Sequence, residues 1–488
     1  MNPIKKLAGQ TAVYGVGTIL GRVLNFFLLP FFTHLFTTSE IGIYVELYSY
    51  VGILVVLFNY GMETAFFRFI SKNNDPEKVQ STAFTSLLVS SILFSTVLIL
   101  GSQSIAELLE IKDHATYIKL FALVLGIDAI STIPFALLRH QNKAEKFASL
   151  KLINIVANIC LNLFFLGPIM LKGNEIEIYK IIGYEFDPEF GVGYIFLANF
   201  LANTFTLLTL LPIIAQIKIS WDKELWLKMY KYSSPLLIVG LAGIINESID
   251  RAFLKAMLEG SLSERQSQIG IYGANYKLAM ILTIVVMAFR QAAEPFFFSK
   301  AKDKDSPIIY ATVMKYFFVF CMIVCLAIGI NTEIVMHFND ASFHEGIDIV
   351  PVILLANLML GIYYNLSVWY KVNDMTKYGA YMALVGVLIT VIGNYILIPL
   401  IGYRGSAWTT LACYTSMVVI SYFWGKKYYP IPYNIRKISF YFLLGLTCYL
   451  ISTLYTLEYG LQIGLNGLIL LTYIAVVIIL EKPQKLLS

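Results

Sequence analysis

The sequence predicts an all-α polytopic membrane protein with fourteen transmembrane helices. Of the 488 residues, 58% are hydrophobic and only 14% are charged, and the mean hydropathy is +0.71; a soluble domain has roughly 45–50% apolar and about 25% charged residues. Apolar runs of about 20 residues recur between residues 10 and 480, and each can cross a hydrocarbon core as a helix. These runs are continuously apolar, whereas barrel strands alternate. A water-soluble globule and a β-barrel are both excluded.

Windows of about 19 residues place the spans along the chain. The first run is too long for the apolar core of a signal peptide, so it is predicted to be an uncleaved anchor. The predicted spans cover residues 10–32, 41–62, 80–101, 115–138, 148–170, 193–215, 232–256, 269–290, 307–330, 347–368, 378–400, 404–424, 437–457 and 460–480.

The basic residues predict the orientation of these spans. Of the 36 lysines and arginines, 24 lie in the set of loops that includes both chain ends, and 5 lie in the alternate loops. Positive charge marks cytoplasmic loops, so both termini are predicted to be cytoplasmic. The net charge of only +5 gives no indication of nucleic-acid binding.

An internal repeat predicts the domain organisation. Three short stretches recur further along the chain, each after nearly the same number of residues. Residues 142–147 match 373–378, the stretch that begins at Glu63 matches the one that begins at Glu294, and the stretch that begins at Asn162 matches the one that begins at Asn394. Six spans per copy is an even number, so the copies are parallel repeats with the same orientation. We therefore expect a lobe over 1–215 (helices 1–6), a linker over 216–231, a lobe over 232–425 (helices 7–12), and helices 13–14 with a cytoplasmic tail over 426–488.

The linker is predicted to be an amphipathic cytoplasmic helix. Ser220 can cap it, and Trp221, Leu225 and Met229 fall on one face at a spacing of four residues. This apolar stripe could lie in the membrane interface.

Several spans carry polar or charged residues, which are costly in hydrocarbon and normally face the protein interior or a water-filled cavity. Arg22 and Asn25 lie in span one, and Arg251 lies in span seven. Arg22 and Arg251 are separated by nearly the repeat offset, so we expect them to face each other across a cleft. Adjacent Asp250 and Arg251 should diverge by about 100° on a helix rather than neutralise each other. These arginines indicate an anionic ligand; Lys277 in span eight is either a ligand or structural.

The acidic residues within spans are candidates for coupling to a cation. Glu247 and Asp250 lie in span seven, and Asp128 lies in span four. Asp128 could instead hydrogen-bond Ser131 or Thr132, one turn further on. Glu46, Arg290 and Lys315 are expected to snorkel towards the lipid headgroups.

The sequence contains no signal for an enzyme. It has no phosphate-binding glycine loop, no nucleophile elbow and no His/Cys/carboxylate cluster with metal spacing, so neither a cofactor nor a metal is expected. The five cysteines all lie in apolar runs and predict no disulfide framework.

Four stretches of the chain carry a family resemblance: residues 7–25, 60–69, 246–251 and 394–407. They resemble the polysaccharide biosynthesis (Wzx-type, O-antigen flippase) family, and the resemblance extends over essentially the whole chain. That family belongs to the multidrug/oligosaccharidyl-lipid/polysaccharide exporter superfamily.

The resemblance implies a V-shaped, MATE-like bundle of two six-helix lobes in the bacterial inner membrane. Such a protein flips a polyprenyl-pyrophosphate-linked oligosaccharide to the periplasmic leaflet for surface polysaccharides such as the O-antigen of lipopolysaccharide. Arg22, Arg251, Lys277 and Asn25 would hold the pyrophosphate, and H+ or Na+ would couple through the span acids. Membrane lipids and other polysaccharide-assembly proteins would be its partners.

Other functions remain open at this point. A lipid-II flippase or a cation-coupled drug or metabolite antiporter would have the same architecture, although arginines within the membrane argue against a cavity for organic cations. A glycan polymerase or ligase would need a large extramembrane active site. A scaffold for other glycan enzymes would tolerate changes to the cavity charges.

Overall fold

The computed structural model describes residues 23–24, 26–71, 75–141, 143–170, 185–301, 303–373, 375–455 and 457–481. Over these ranges the chain is helical and contains no β-strand. It divides into two compact units, the first within Met1–Lys255 and Gly260–Gly270, and the second within Ala256–Glu259 and Ile271–Ser488. Arg22 and Asn25 lie outside the described residues.

The helices of the first unit begin and end at local signals. A capping box between Thr37 and Glu40 starts the first long helix. Tyr60 (φ 32°) and Gly61 (φ 70°) adopt left-handed backbone conformations and separate it from the next helix. After helical residues 26–33, the helices are α1 Thr38–Asn59, α2 Met62–Ile70, α3 Pro76–Leu100, α4 Ser102–Leu108, α5 Ala115–His140, α6 Ala144–Met170, α7 Gly193–Ile214, α8 Lys223–Ser248 and α9 Asp250–Met257.

The second unit contains the remaining helices, although the first turns of α10 belong to the first unit. The helices are α10 Leu262–Lys300, α11 Ser306–Gly329, α12 Thr332–Met336, α13 Ile349–Leu366, α14 Val368–Val372, α15 Lys377–Ile401, α16 Tyr403–Tyr428, α17 Ile435–Leu454 and α18 Tyr459–Leu480.

Eleven of the described helices or helix pairs are long and apolar enough to cross a membrane, and each matches a predicted span. Predicted span one lies mostly outside the described residues. Helices α8 and α16, each of 26 residues, occupy the positions of predicted spans seven and twelve but are not among the eleven. The count of fourteen therefore stays a prediction.

The order of helices in the first unit recurs in the second. The starts of α3 and α11, and likewise the ends of α5 and α14, are separated by almost the offset of the sequence repeat. Asn162 and Asn394 are both buried, and each donates a hydrogen bond of 2.8 Å to the backbone carbonyl four residues earlier. The local structure thus repeats at the offset of the sequence repeat, while the predicted lobe boundaries stay a prediction.

The segment predicted as a linker and span seven has a different helical pattern from the one expected. Asp222, not Ser220, caps α8, because its carboxylate accepts a hydrogen bond from the backbone N–H of Leu225 at 2.7 Å. The helix then continues without a break to Ser248. Leu225 and Met229 are buried in the core of the first unit rather than free to lie in the membrane interface.

Helix α1 and the first turns of α10 pack backbone against backbone within the first unit. A Cβ atom at Gly42 would collide with the carbonyl oxygen of Gln266, and one at Gly270 would collide with that of Thr38. Only glycine allows helices to approach this closely. Ser39 Oγ donates to the side-chain oxygen of Gln266 at 3.0 Å beside this contact.

Candidate functional site

Arg251 is ion-paired with its neighbour Asp250, so the expectation that the two side chains diverge is wrong. Arg251 Nη1 lies 2.6 Å from Asp250 Oδ1 and donates to the carbonyl oxygen of Glu247 at 2.6 Å. Ile249, between α8 and α9, keeps a right-handed helical backbone and donates to the carbonyl oxygen of Ile245 at 3.1 Å, while Asp250 also accepts the backbone N–H of Arg251 at 2.9 Å. Because helical side chains point towards the N-terminus, the guanidinium turns back towards the end of α8. Arg251 is only 9% exposed.

The other predicted residues of this group are spread over both units. Glu247 is exposed on α8 in the first unit, while Lys277 is half-buried on α10 in the second unit.

Asp128 on α5 and Lys151 on α6 form a charged pair in the first unit. Both side chains have exposed surface, and they lie close enough for an electrostatic interaction. The Lys151 ammonium also lies 4.2 Å from the centre of the Phe135 ring. Charged groups within apolar spans normally face the protein interior or a water-filled cavity.

The hydrogen bond expected between Asp128 and Thr132 involves the backbone instead. The Thr132 hydroxyl lies 3.1 Å from the backbone carbonyl oxygen of Asp128 and 2.7 Å from Asn59 Oδ1. The Asp128 carboxylate interacts electrostatically with Lys151 instead.

A ladder of polar side chains connects three helices of the first unit. Asn154 Nδ2 on α6 donates to Asn203 Oδ1 at 2.9 Å and to Thr206 Oγ1 at 2.8 Å, both on α7. Asn203 donates to Asn199 at 3.2 Å, and Asn199 donates to the Tyr48 hydroxyl on α1 at 2.9 Å. Tyr48 in turn interacts electrostatically with Asp128. The ladder thus connects α6 and α7, through Tyr48, to the acid.

A buried ion pair lies in the same unit. Lys255 Nζ lies 3.0 Å from Glu46 Oε2 and also contacts the carbonyl oxygen of Leu109, while the Tyr50 hydroxyl donates to Glu46 at 3.3 Å. Glu46 is 1% exposed and Lys255 is 7% exposed. The expectation that Glu46 snorkels to the headgroups is therefore wrong, because a partner distant in the sequence neutralises it inside the protein.

An apolar groove of about 790 Å³ opens between α1, α3 and α8 of the first unit. Aliphatic side chains such as Leu57, Val89 and Leu93 line most of it. At one end the Trp226 indole donates to Ser86 Oγ at 2.7 Å. The groove offers a hydrocarbon surface with a small polar end.

Sequence reasoning missed the asparagine ladder and Lys151, which it counted with the loop residues. A signal was present, since asparagines recur four residues apart at positions 154, 158 and 162 and again at 199 and 203. That spacing places them on one helical face, where they bond neighbouring helices. Among the described residues, no group of three or more His, Cys, Asp or Glu could hold a metal ion.

The family of the chain follows from its sequence. Residues 7–300, more than half of the chain, match the model of a family described as polysaccharide biosynthesis protein. The chain belongs to this family. No curated protein matches this polysaccharide biosynthesis protein.

Solved structures with a similar fold are transporters. The lipid II flippase MurJ in an inward closed conformation shares 16% identity and a TM-score of 0.72, over 96% of this chain and 99% of that chain. An inward-facing multidrug resistance MATE family transporter of the MOP superfamily shares 11% identity and a TM-score of 0.63, over 86% and 94%. A MOP superfamily transporter from Pyrococcus furiosus shares 13% identity and a TM-score of 0.61, over 86% and 95%. The polysaccharide biosynthesis protein therefore has a MOP-type transporter fold.

Proposed function

We propose that the protein flips a polyprenyl-pyrophosphate-linked oligosaccharide across the bacterial inner membrane by cation-coupled alternating access. The charged pair of Asp128 and Lys151 within apolar spans carries this proposal. Such a pair favours a water-filled path, in which sugars stay hydrated and avoid the cost of moving hydroxyl groups through hydrocarbon. The apolar groove between α1, α3 and α8 supports the lipid part of the proposal, since it offers a surface for a hydrocarbon chain.

The Asp250–Arg251 pair suggests how a cation could be coupled to the substrate. The ionised Asp250 carboxylate holds the Arg251 guanidinium in an ion pair, with Nη1 2.6 Å from Oδ1. Binding of H+ or Na+ to Asp250 would weaken that pair and free Arg251 for the pyrophosphate, which arginine binds through bidentate charge-assisted hydrogen bonds. In this proposal Arg22, Asn25 and Lys277 keep their predicted role as further ligands. Glu247 and Asp128 remain the other candidate cation sites.

Reconstitution tests the proposal directly. Purified protein in proteoliposomes is given a fluorescent polyprenyl-pyrophosphate-linked sugar, and the fraction that crosses the bilayer is measured by chemical quenching from outside. We expect flipping by the wild type and a loss of rate in Asp128→Asn and Lys151→Gln. Lys119→Gln is the matched control, because Lys119 lies nine residues before Asp128 on α5 and so on its opposite face.

Two results would count against the proposal. Exchange of cationic dyes for protons, without flipping of the lipid-linked sugar, would favour a drug antiporter. Flipping at the wild-type rate by both Asp128→Asn and Lys151→Gln would remove this charged pair from the mechanism.

A further inference from the structure

A carboxylate–cation pair occurs at equivalent positions in the two units. In the first unit, Glu63 on α2 pairs with Arg139 at the end of α5. In the second unit, Lys371 Nζ on α14 lies 2.5 Å from Glu294 Oε1 on α10. Glu294 follows Glu63, and Lys371 follows Arg139, at the nearly constant offset of the sequence repeat. Both copies of the repeat therefore carry such an ion pair at the predicted cytoplasmic ends of their spans.

The pair in the second unit carries an additional cation. Arg290 Nε lies 3.1 Å from the same Glu294 Oε1 that receives Lys371. The Arg290 guanidinium also lies over the Tyr364 ring, 4.6 Å from its centre. Two cations thus share one oxygen of a single carboxylate. The three side chains have a net charge of +1. The eight N–H groups of Arg290 and Lys371 outnumber the lone pairs that Glu294 and Tyr364 offer as acceptors.

This group, Arg290, Glu294 and Lys371, is open to water. The side chains are 42%, 36% and 25% exposed, respectively. A recess beside them, lined in part by Tyr364 and Ser367, measures only about 10 Å³. A ligand must therefore bind across the exposed face of the group, where it replaces Glu294 as the acceptor.

A second group in the same unit has the same charges but a more buried carboxylate. Glu481 receives Lys315 on one oxygen and Lys437 on the other, each at 2.6 Å, and the three side chains are 12%, 18% and 32% exposed, respectively. Tyr441 donates to Glu481 at 2.8 Å. Each cation there has its own carboxylate oxygen, as expected of a purely structural ion pair. The two groups therefore differ in how the cations share the carboxylate and in how exposed that carboxylate is.

We propose that Arg290 and Lys371 form a phosphate-binding site that receives the pyrophosphate of the lipid carrier at the predicted cytoplasmic face. The inference rests on the proposed function and names one binding step within it. Arginine offers a bidentate fork and lysine a point charge, and both bind phosphate oxygens through charge-assisted hydrogen bonds. Glu294 holds the two cations in place while the site is empty and competes with the ligand.

Equilibrium binding to the full chain in detergent tests the site with three probes: farnesyl pyrophosphate, inorganic pyrophosphate and farnesol. We expect Arg290→Gln/Lys371→Gln to weaken farnesyl pyrophosphate binding about tenfold or more, because two charge-assisted bonds are lost. Lys315→Gln/Lys437→Gln, with the same change in charge, should bind as the wild type does. Arg290→Lys/Lys371→Arg should retain most of the affinity. Thermal unfolding of each variant establishes that it is folded.

The variant Glu294→Gln separates a ligand site from a structural ion pair. Removal of the competing carboxylate should tighten farnesyl pyrophosphate binding severalfold, whereas a structural pair predicts no gain. Unchanged or weaker binding in Glu294→Gln, or equal losses in the two double variants, would overturn the proposal. Tighter binding of farnesyl pyrophosphate than of inorganic pyrophosphate supports the lipid carrier as the source, and equal affinities would overturn that source. Because this assay measures binding without transport, loss of flipping with intact binding would count against the proposed function alone.

Discussion

Neutralising one partner of the buried Glu46–Lys255 pair should destabilise the protein far more than neutralising both. At 3.0 Å and an effective dielectric constant of about 20, the attraction between the two charges is roughly 5 kcal/mol. Both groups have also lost their hydration, since they are 1% and 7% exposed. Removing one partner of such a pair typically costs about 3–5 kcal/mol, because the remaining charge stays buried without compensation.

A double-mutant cycle measures this effect. Lys255→Met and Glu46→Gln are each expected to lower the free energy of unfolding by about 3–5 kcal/mol, whereas the double variant should lie close to the wild type. Chemical unfolding in detergent micelles, followed by tryptophan fluorescence, gives the free energies. The control cycle uses Glu224 and Lys228, an exposed pair on α8 at 2.6 Å, where coupling should stay below about 1 kcal/mol. Additive losses at Glu46 and Lys255 would refute the reasoning, since they would show that the two charges do not depend on each other.

Three further predictions concern other parts of the chain. Burial favours the neutral acid, but hydrogen bonds from two lysines and a tyrosine lower the pKa of Glu481 from 4.5 to about 2. The charge of Glu481 therefore contributes its full stability above about pH 4.5. The difference in melting temperature between wild type and Glu481→Gln should shrink as pH falls from 4.5 towards 2. Gly42→Ala should lower the free energy of unfolding by about 1–3 kcal/mol, because the added Cβ would collide with the backbone of α10. Gly460→Ala is the control, since a Cβ there meets nothing within 4 Å. Equal effects of the two variants in chemical unfolding would contradict the backbone contact. Asp250→Asn should make binding of farnesyl pyrophosphate less dependent on Na+, since Arg251 would no longer need to be released, and an unchanged dependence would remove Asp250 from the coupling.

The sequence predicts the spans well because hydrophobic length is a local property. Eleven predicted spans correspond to long apolar helices, and the offset of the sequence repeat recurs in helix bounds and in buried asparagines. Side-chain partners are less predictable, because they depend on which helices become neighbours. Glu46 and Lys255 lie far apart in the sequence, and no local pattern connects them.

The region around Arg251 shows a second limit. Adjacent side chains on an ideal helix point about 100° apart, but the Asp250 carboxylate accepts both the backbone N–H and the guanidinium of Arg251, so the two side chains meet. Arg251 thus lies inside the protein, but its ion pair with Asp250 could not have been predicted from residue spacing alone.

The duplicated ion pair has an evolutionary consequence. A single-unit ancestor would have carried one acidic residue of this kind and one cation, later preserved as Glu63 with Arg139 and as Glu294 with Lys371. Because six spans is an even number, duplication and fusion of such an ancestor would give a second copy with the same predicted orientation in the membrane. Fusion then allowed the halves to diverge, and only one of them acquired Arg290 where the other has Asn59.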